Sequence, residues 1–168
     1  MRVISALLLI AWPLSVHAQG AVTKSNWQRH PAIIAIQQLV AAIDRDSARY
    51  VQLTDSASCH GGEVSLTATL WSDSTGTSRR YQVAGGSGDS AGEARYYYDA
   101  SGRLRFVFTE TGAVNGTQRE DRAFFARNGT LLYKDSRLIR GPGYPGGFAP
   151  DPIFGPTEDM AHLCGSDD

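Results

Sequence analysis

The fold is decided by the stretch RYYYDASGRLRFVF, residues 95–108, in which two runs rich in arginine and aromatic residues flank a central Ser-Gly. Ser-Gly supplies the positive φ of a tight turn, so the stretch predicts a β-hairpin. Strict alternation along the two strands then predicts two faces. The face toward a helix would hold Tyr96, Tyr98, Leu104, Phe106 and Phe108, and the opposite face would hold Arg95, Tyr97, Arg103, Arg105 and Val107.

The hairpin pattern returns 27 positions later. Arg122-x-Phe124-Phe125 followed by Asn128-Gly129 repeats Arg95-x-Tyr97-Tyr98 followed by Ser101-Gly102. Each copy predicts one hairpin. Two copies are fewer than the three or more units that a solenoid or propeller needs, so the pattern predicts a meander.

Residues 93–134 combine an aromatic run, Asp-x-x-Gly and Leu-x-Phe-Val. In these features the chain resembles exported bacterial proteins of unassigned function that contain repeated hairpins. The resemblance implies an α+β fold and a location outside the cytoplasm. It supplies no catalytic residues.

Before the hairpins, the spacing of apolar residues changes from a helical period to a strand period. Within residues 30–53, Ile33, Ile36, Val40 and Ile43 form one helical stripe, and Pro31 suits the first turn. From residue 63 the period becomes two, with Val64, Leu66, Ala68 and Leu70 on one side. Turn residues separate the later segments. The sequence therefore predicts an α+β fold in which an N-terminal helix packs on one face of a five- or six-stranded antiparallel meander sheet.

The first residues predict export. An apolar run from Val3 to Val16 follows Arg2 and ends at Val16-His17-Ala18, which has the small residues of a signal-peptide cleavage site. The run is too short for a membrane span. Cleavage near Ala18 would leave 15 basic and 17 acidic residues, because only Arg2 is lost from the 16 basic ones. A chain so nearly balanced lacks the concentrated basic face of a nucleic-acid-binding protein.

The two cysteines predict the domain organisation. In an oxidising compartment Cys59 and Cys164 would form a disulfide. Residues 1–18 are then a signal peptide, 19–140 an α+β domain and 141–168 a Pro/Gly-rich arm tied back by the disulfide. Regular structure is not expected in the arm, whose candidate anchors are Tyr144, Phe148, Ile153 and Phe154.

The motif GDSAG, residues 88–92, resembles the nucleophile elbow of hormone-sensitive-lipase-like esterases, and His60-Gly-Gly resembles their oxyanion-hole motif. A small serine hydrolase using Ser90 and His162 is therefore one alternative. An elbow needs a strand before the serine and a helix after it, whereas the strand-like segment from Glu93 follows Ser90 closely. We therefore predict a hairpin loop at this motif.

Two further patterns have structural explanations. Cys59-His60 and His162-x-Cys164 would make a zinc site if the cysteines were reduced, so His60 and His162 are alternative metal ligands. Asn115-Gly116-Thr117 and Asn128-Gly129-Thr130 are glycosylation sequons and also Asn-Gly turns. Disulfide and turns are the predicted readings, with no cofactor.

The predicted function is a non-enzymatic periplasmic or secreted binding protein. It would resemble an inhibitor or immunity protein that recognises another envelope or secreted protein, with neither nucleic acid nor a membrane as partner. Arginine and tyrosine are enriched at interface hot spots, so the outer sheet face is the candidate binding surface. Its residues are Arg80, Arg95, Tyr97, Arg103, Arg105, Arg122 and Phe124. A structural envelope protein is the remaining alternative.

Overall fold

A computed structural model describes residues 20–143 and 151–164. The predicted signal peptide and two candidate anchors, Tyr144 and Phe148, lie outside the described residues. The elements are α1 (Pro31–Asp46), β1 (Val51–Cys59), β2 (Val64–Ser72), β3 (Ser78–Gly86), β4 (Ser90–Tyr98), β5 (Leu104–Ala113), β6 (Gln118–Phe125), β7 (Leu131–Arg140) and α2 (Pro156–Ala161).

The strands form one antiparallel sheet in the order β1 to β7, so each strand pairs with its neighbours in sequence. The predicted meander is therefore confirmed. The predicted number of five or six strands is wrong, because β1 makes a seventh. The sequence predicts no strand before residue 63, whereas residues 51–59 form β1 after the helix ends at Asp46. β1 lacks an apolar alternation because it is an edge strand and largely exposed.

Helix α1 begins with a histidine cap. His30 Nδ1 accepts the backbone N–H of Ala32 at 3.2 Å, so the ring hydrogen lies on Nε2, which donates to Gly20 O at 2.8 Å. Pro31 follows at the first helical position, where its missing N–H costs nothing. The helix buries the stripe of Ile33, Ile36 and Ile43.

Three hairpins of the sheet share one geometry. The turns between β2 and β3, β4 and β5, and β6 and β7 each place a glycine at positive φ: Gly76, Gly102 and Gly129. After each turn one residue is left without a partner across the ladder, which makes a β-bulge. The bulged residues are Arg79, Arg105 and Leu132. The 27-residue echo is thus part of a threefold hairpin geometry, and the first hairpin shares Asp-x-x-Gly with the second, at Asp73 to Gly76 and Asp99 to Gly102.

The bulge at Arg105 corrects the predicted faces. Tyr98 pairs with Leu104, but Tyr97 pairs with Phe106, so two positions of β5 oppose one of β4. An extra residue inverts the alternation beyond it. Phe106 and Phe108 therefore share a face with Tyr97 and Arg95, while Val107 lies with Tyr96 and Tyr98. The prediction of one oily and one cationic face is wrong.

Two clusters cover opposite faces of the sheet. On the helix face, Ile33 and Ile36 pack against Phe124, with Trp27, Phe106 and Tyr133 around them. On the arm face the C-terminal residues Ile153, Met160 and Leu163 pack against the sheet. The sheet residues of that cluster are Ala68, Leu70, Tyr81, Ala94, Tyr96, Tyr98, Leu104, Val107 and Phe125.

The C-terminal arm is tied back as predicted. Cys59 and Cys164 form a disulfide across 105 positions. The expectation of no regular structure in the arm is wrong, because α2 occupies Pro156–Ala161 with Pro156 at its first position. Of the candidate anchors, Ile153 packs on the core and Phe154 remains exposed, touching Phe125 edge to face. None of the helices in the described ranges is long and apolar enough to span a membrane.

Candidate functional site

Five residues of the predicted outer sheet face lie on the helix face, and Arg103 and Arg105 lie at the β4–β5 turn. Tyr97 and Phe124 are 3% and 1% exposed, so they belong to the core. Arg103 is exposed after the β4–β5 turn, and Arg105 sits in the bulge, where its Nε donates to Phe125 O at 3.0 Å. A binding role for this set therefore stays a prediction.

The three remaining arginines of the set lie on the helix face and have acidic partners. Arg80 contacts Asp44 at the end of α1, 3.5 Å away, and its guanidinium lies 4.4 Å from the Trp71 ring centroid. Arg95 and Arg122 cover Phe108 from two sides. Arg95 is paired with Glu93 and Glu110, and Arg122 with Glu120. This neutralisation leaves a poor site for an anion.

Ser90 lies in a hairpin setting rather than in an elbow. It is the first residue of β4, and its hydroxyl is 3.0 Å from Asp89 Oδ1 and 3.3 Å from Ser87 Oγ. A strand of an antiparallel sheet follows it, in place of the helix that an elbow requires. His162, its proposed partner, caps the C-terminal end of α2.

The alternative metal ligands flank the disulfide. His60 follows Cys59 in a short turn, and His162 precedes Cys164 by two positions. Both cysteines are oxidised, so they are not thiolate ligands. Within residues 20–143 and 151–164, no three His, Cys, Asp or Glu side chains gather into a possible metal site.

A cavity of about 1010 Å³ lies on the arm face, between the sheet and the C-terminal arm. It extends over the end of the sheet where β3 meets β4 and β5 meets β6. The side chains of its walls are mainly apolar and small. They include Val64, Leu66, Val83, Ala91, Ala94, Ala113, Leu138, Ile153 and Leu163. We call this space the arm cavity.

The floor of the arm cavity is made of glycine. Gly85 of β3 pairs directly with Gly92 of β4. A Cβ at Gly85 would contact Leu66 Cδ2 and lie 2.5 Å from Ser65 O, and a Cβ at Gly92 would lie 3.0 Å from Glu110 O. A Cβ at Gly85 is therefore excluded by β2, and a Cβ at Gly92 would be tight against β5. The sheet presents bare backbone at both positions, with the Leu66 side chain beside Gly85.

The arm is attached to the sheet by two tyrosines. Tyr81 donates its hydroxyl to Asp159 Oδ2 at 2.8 Å, and Tyr98 donates to Ile153 O at 2.9 Å. Burial raises the pKa of Tyr81 above its usual value, and the Asp159 carboxylate raises it further. Both hydroxyls therefore remain donors at physiological pH.

One end of the arm cavity is polar. Thr117 is 4% exposed, lines the cavity, and its Oγ has no hydrogen-bond partner in the described part of the chain. Two residues on, Arg119 Nε and Nη2 lie 3.2 and 3.0 Å from Asp121 Oδ1, and Nη2 also donates to Ser136 Oγ at 3.1 Å. Asp121 is buried and holds the guanidinium in place.

Glycines within the strands are the sequence feature that could have indicated this site. Glycine is depleted in strands, and one inside a strand marks a bulge or a close approach. A hairpin loop is predicted instead at GDSAG, residues 88–92, although Gly92 belongs to β4. The structure limits the loop to residues 87–89. Nothing in the sequence indicated that Thr117 and Arg119 face the same space as these glycines.

The geometry is the only guide to function here. Comparison with protein-family models finds no match for the chain, and comparisons with curated proteins and with solved structures also find none.

Proposed function

We propose that the chain is an exported, non-enzymatic binding protein whose ligand occupies the arm cavity. Export rests on the apolar leader, residues 1–18, and on the disulfide, a bond typical of oxidising compartments. The observation that carries the proposal is the arm cavity itself, with its glycine floor and apolar walls.

The size and lining of the arm cavity support a small ligand. Ligand pockets in proteins measure about 300 to 1,000 Å³ and combine apolar walls with a few polar groups. The arm cavity lies at the upper end of this range and has that composition. Its apolar walls favour an apolar body over a charged one, because desolvating a charge against such walls is unfavourable.

Fluorescence of the neutral probe N-phenyl-1-naphthylamine tests the proposal. The probe should bind to the mature protein at micromolar concentration with enhanced emission. Leu138, 54% exposed, lines the arm cavity from β7, so Leu138→Asp makes one wall polar without burying a charge. Losing the apolar contact with a half-buried leucine should weaken the binding free energy of the probe by about 1.5 kcal/mol, so its affinity should fall about tenfold.

Leu53→Asp is the matched control. Leu53 is an edge-strand leucine with 60% exposure whose pairing places it on the arm face, but it does not line the arm cavity. This variant should bind the probe like the unmodified protein. Absence of probe binding, or equal weakening in both variants, would contradict the proposed function.

A further inference from the structure

The two edges of the sheet differ in how they are protected against pairing with another strand. β7 carries Lys134, Arg137 and Arg140, and its ladder with β6 is interrupted by bulges at Leu132 and Ile139. Charged side chains and bulges are the usual devices that keep an edge strand from adding a further strand. β7 is therefore a protected edge.

The other edge, β1, lacks these devices. It runs from Val51 to Cys59 without proline, lysine or arginine, and its register with β2 is continuous. No other strand in the described part of the chain pairs with its outer edge. Val51 and Leu53 are 69% and 60% exposed. A regular edge strand that exposes apolar side chains is a template for a further strand.

The first part of β1 is accessible from both faces of the sheet. Helix α1 packs against Phe124 in β6, and its last turn contacts β3, so it does not cover β1. On the same face, Thr54 and Thr69 form an exposed hydroxyl pair. On the other face the arm is fastened at Cys59, the last residue of β1. Residues 51–56 are all exposed.

The sequence around Gln52 is complementary to itself in an antiparallel pairing. A two-fold axis through Gln52 places each residue opposite the residue that lies equally far on the other side of Gln52 in a second copy. Val51 then lies opposite Leu53, which makes an apolar pair, and Arg49 lies opposite Asp55, which makes an ion pair. Each pair occurs twice. Opposed apolar side chains and opposed unlike charges both stabilise paired strands.

Both charged residues are available for this contact. Arg49 lies in the turn before β1, and its side chain is 82% exposed. Its contact with Asp46, at 3.7 Å, is a surface ion pair and contributes little to stability. Asp55 is exposed on β1. The two residues can therefore form an ion pair across the edge at little cost to the single chain.

Neighbouring registers are less favourable than the one centred on Gln52. An axis through Leu53 would place Val51 opposite Asp55, and an axis through Thr54 would place Leu53 there. An axis through Asp55 would oppose the two like charges directly, which is destabilising. The axis through Gln52 avoids all three arrangements.

We propose that β1 pairs with β1 of a second copy of this chain, antiparallel and about a two-fold axis through Gln52. The pairing joins the seven strands of each copy into one continuous sheet. Both helices then lie on one face and both arms on the other. Because the contact uses the same surface on both copies, it closes as a dimer. It is independent of the proposed ligand, since no residue of β1 lines the arm cavity.

The association state of the mature protein tests the pairing. A single short strand pair makes a small interface, so the dimer should be weak, and sedimentation equilibrium at low salt should follow it from about 10 µM to 1 mM protein. The mass should rise toward that of two chains. A single-chain mass over the whole range would overturn the proposal. A mass that rises beyond two chains would also overturn it, because it indicates head-to-tail pairing of β1 with β7.

Charge reversal tests the position of the axis. Arg49→Asp opposes like charges twice in the dimer, and so does Asp55→Arg, so each variant alone should lose about tenfold in dimer affinity. An equal mixture of the two variants should recover the affinity of the unmodified protein. In the mixed dimer each opposed pair again joins one acid and one arginine. Recovery also shows that both variants are folded.

Arg140→Asp is the matched control. It makes the same change of charge at the β7 edge, where Arg140 is exposed. This variant should dimerise like the unmodified protein. The proposal fails if Arg49→Asp dimerises as strongly as the control. It fails equally if the mixture of Arg49→Asp and Asp55→Arg associates no better than either variant alone.

Discussion

The helix face and the arm face belong to the same strands but are filled differently. On the helix face large rings are in mutual contact: Trp27 stacks on Tyr133, and Phe124 lies between Trp27 and Phe106. On the arm face, glycine, alanine and aliphatic side chains make up most of the lining of the arm cavity, and Tyr96 is the one ring among its described lining residues. The comparison teaches that the same meander produces a filled core on one side and a cavity on the other, according to side-chain volume.

Removing the disulfide should have the largest effect and should act on the arm face. Its loop spans 105 positions, so the double change Cys59→Ala and Cys164→Ala should lower the free energy of unfolding by about 4 to 5 kcal/mol in the chain-entropy model. Urea unfolding measures the loss. Probe binding in the arm cavity should weaken as well, because the arm forms one wall. An unchanged urea midpoint would show that the arm is held by packing alone.

Two neighbouring phenylalanines compare the faces directly. Phe124 points into the helix-face cluster and Phe125 into the arm-face cluster. Phe124→Ala should cost about 3 to 4 kcal/mol and shift the emission of Trp27, which it contacts. Phe125→Ala should cost less, since its ring partner Phe154 is exposed and can move into the space.

Urea unfolding followed by tryptophan emission tests both variants. Phe125→Ala should leave the tryptophan emission of the native state unchanged, because Trp27 and Trp71 both lie on the opposite, helix face. A loss of stability that is larger for Phe125→Ala than for Phe124→Ala would contradict the view that the helix face is the better packed side.

Alkaline pH should destabilise both faces, with no effect below pH 10. Burial raises the pKa of Tyr97 to about 12, and the nearby Asp44 carboxylate contributes. Burial also raises the pKa values of Tyr81, Tyr96 and Tyr98. The folded protein therefore keeps protons that the unfolded chain releases near pH 10, so stability should decline as the pH rises from about 10 toward 12.

Ultraviolet titration of tyrosinate absorbance follows this effect. Tyr97→Phe should remove one late-titrating group on the helix face. Tyr81→Phe should remove one on the arm face, together with the hydrogen bond to Asp159. If all tyrosines of the folded protein titrate together near pH 10, the described burial of these hydroxyls is wrong.

Prediction from the sequence succeeded where a local rule was sufficient. The stripe of Ile33, Ile36 and Ile43 predicted α1, and the alternation from Val64 to Leu70 predicted β2 with its buried side. The prediction failed where one extra residue inverted the alternation of side chains between the two faces. The bulge at Arg105 leaves no signature in the letters, yet it moves Phe106 and Phe108 to the other face. β1 was missed because an exposed edge strand needs no apolar pattern.

For the candidate site, less could be predicted from the sequence. The glycines of β3 and β4 were visible, but their common face and their distance from Arg119 depend on the register of four strands. Arg95 and Arg122 are paired with Glu93 and Glu120, two positions earlier in the same strand, as the alternation along the chain allows. The contacts of Arg95 with Glu110 and of Arg80 with Asp44 depend on the register and on the helix position, which no spacing along the chain reveals.

The sequence by itself determined the helix, the succession of antiparallel hairpins with their glycine turns, and the pairing of the two cysteines. These follow from periods of 3.6 and 2, from positive φ at glycine, and from there being only two cysteines. The tertiary structure decided which side chains share a face, which arginines are neutralised, and that bare backbone meets the arm across a cavity. Such features depend on register and on contacts between residues distant in sequence, and a β-bulge of one residue is enough to change them.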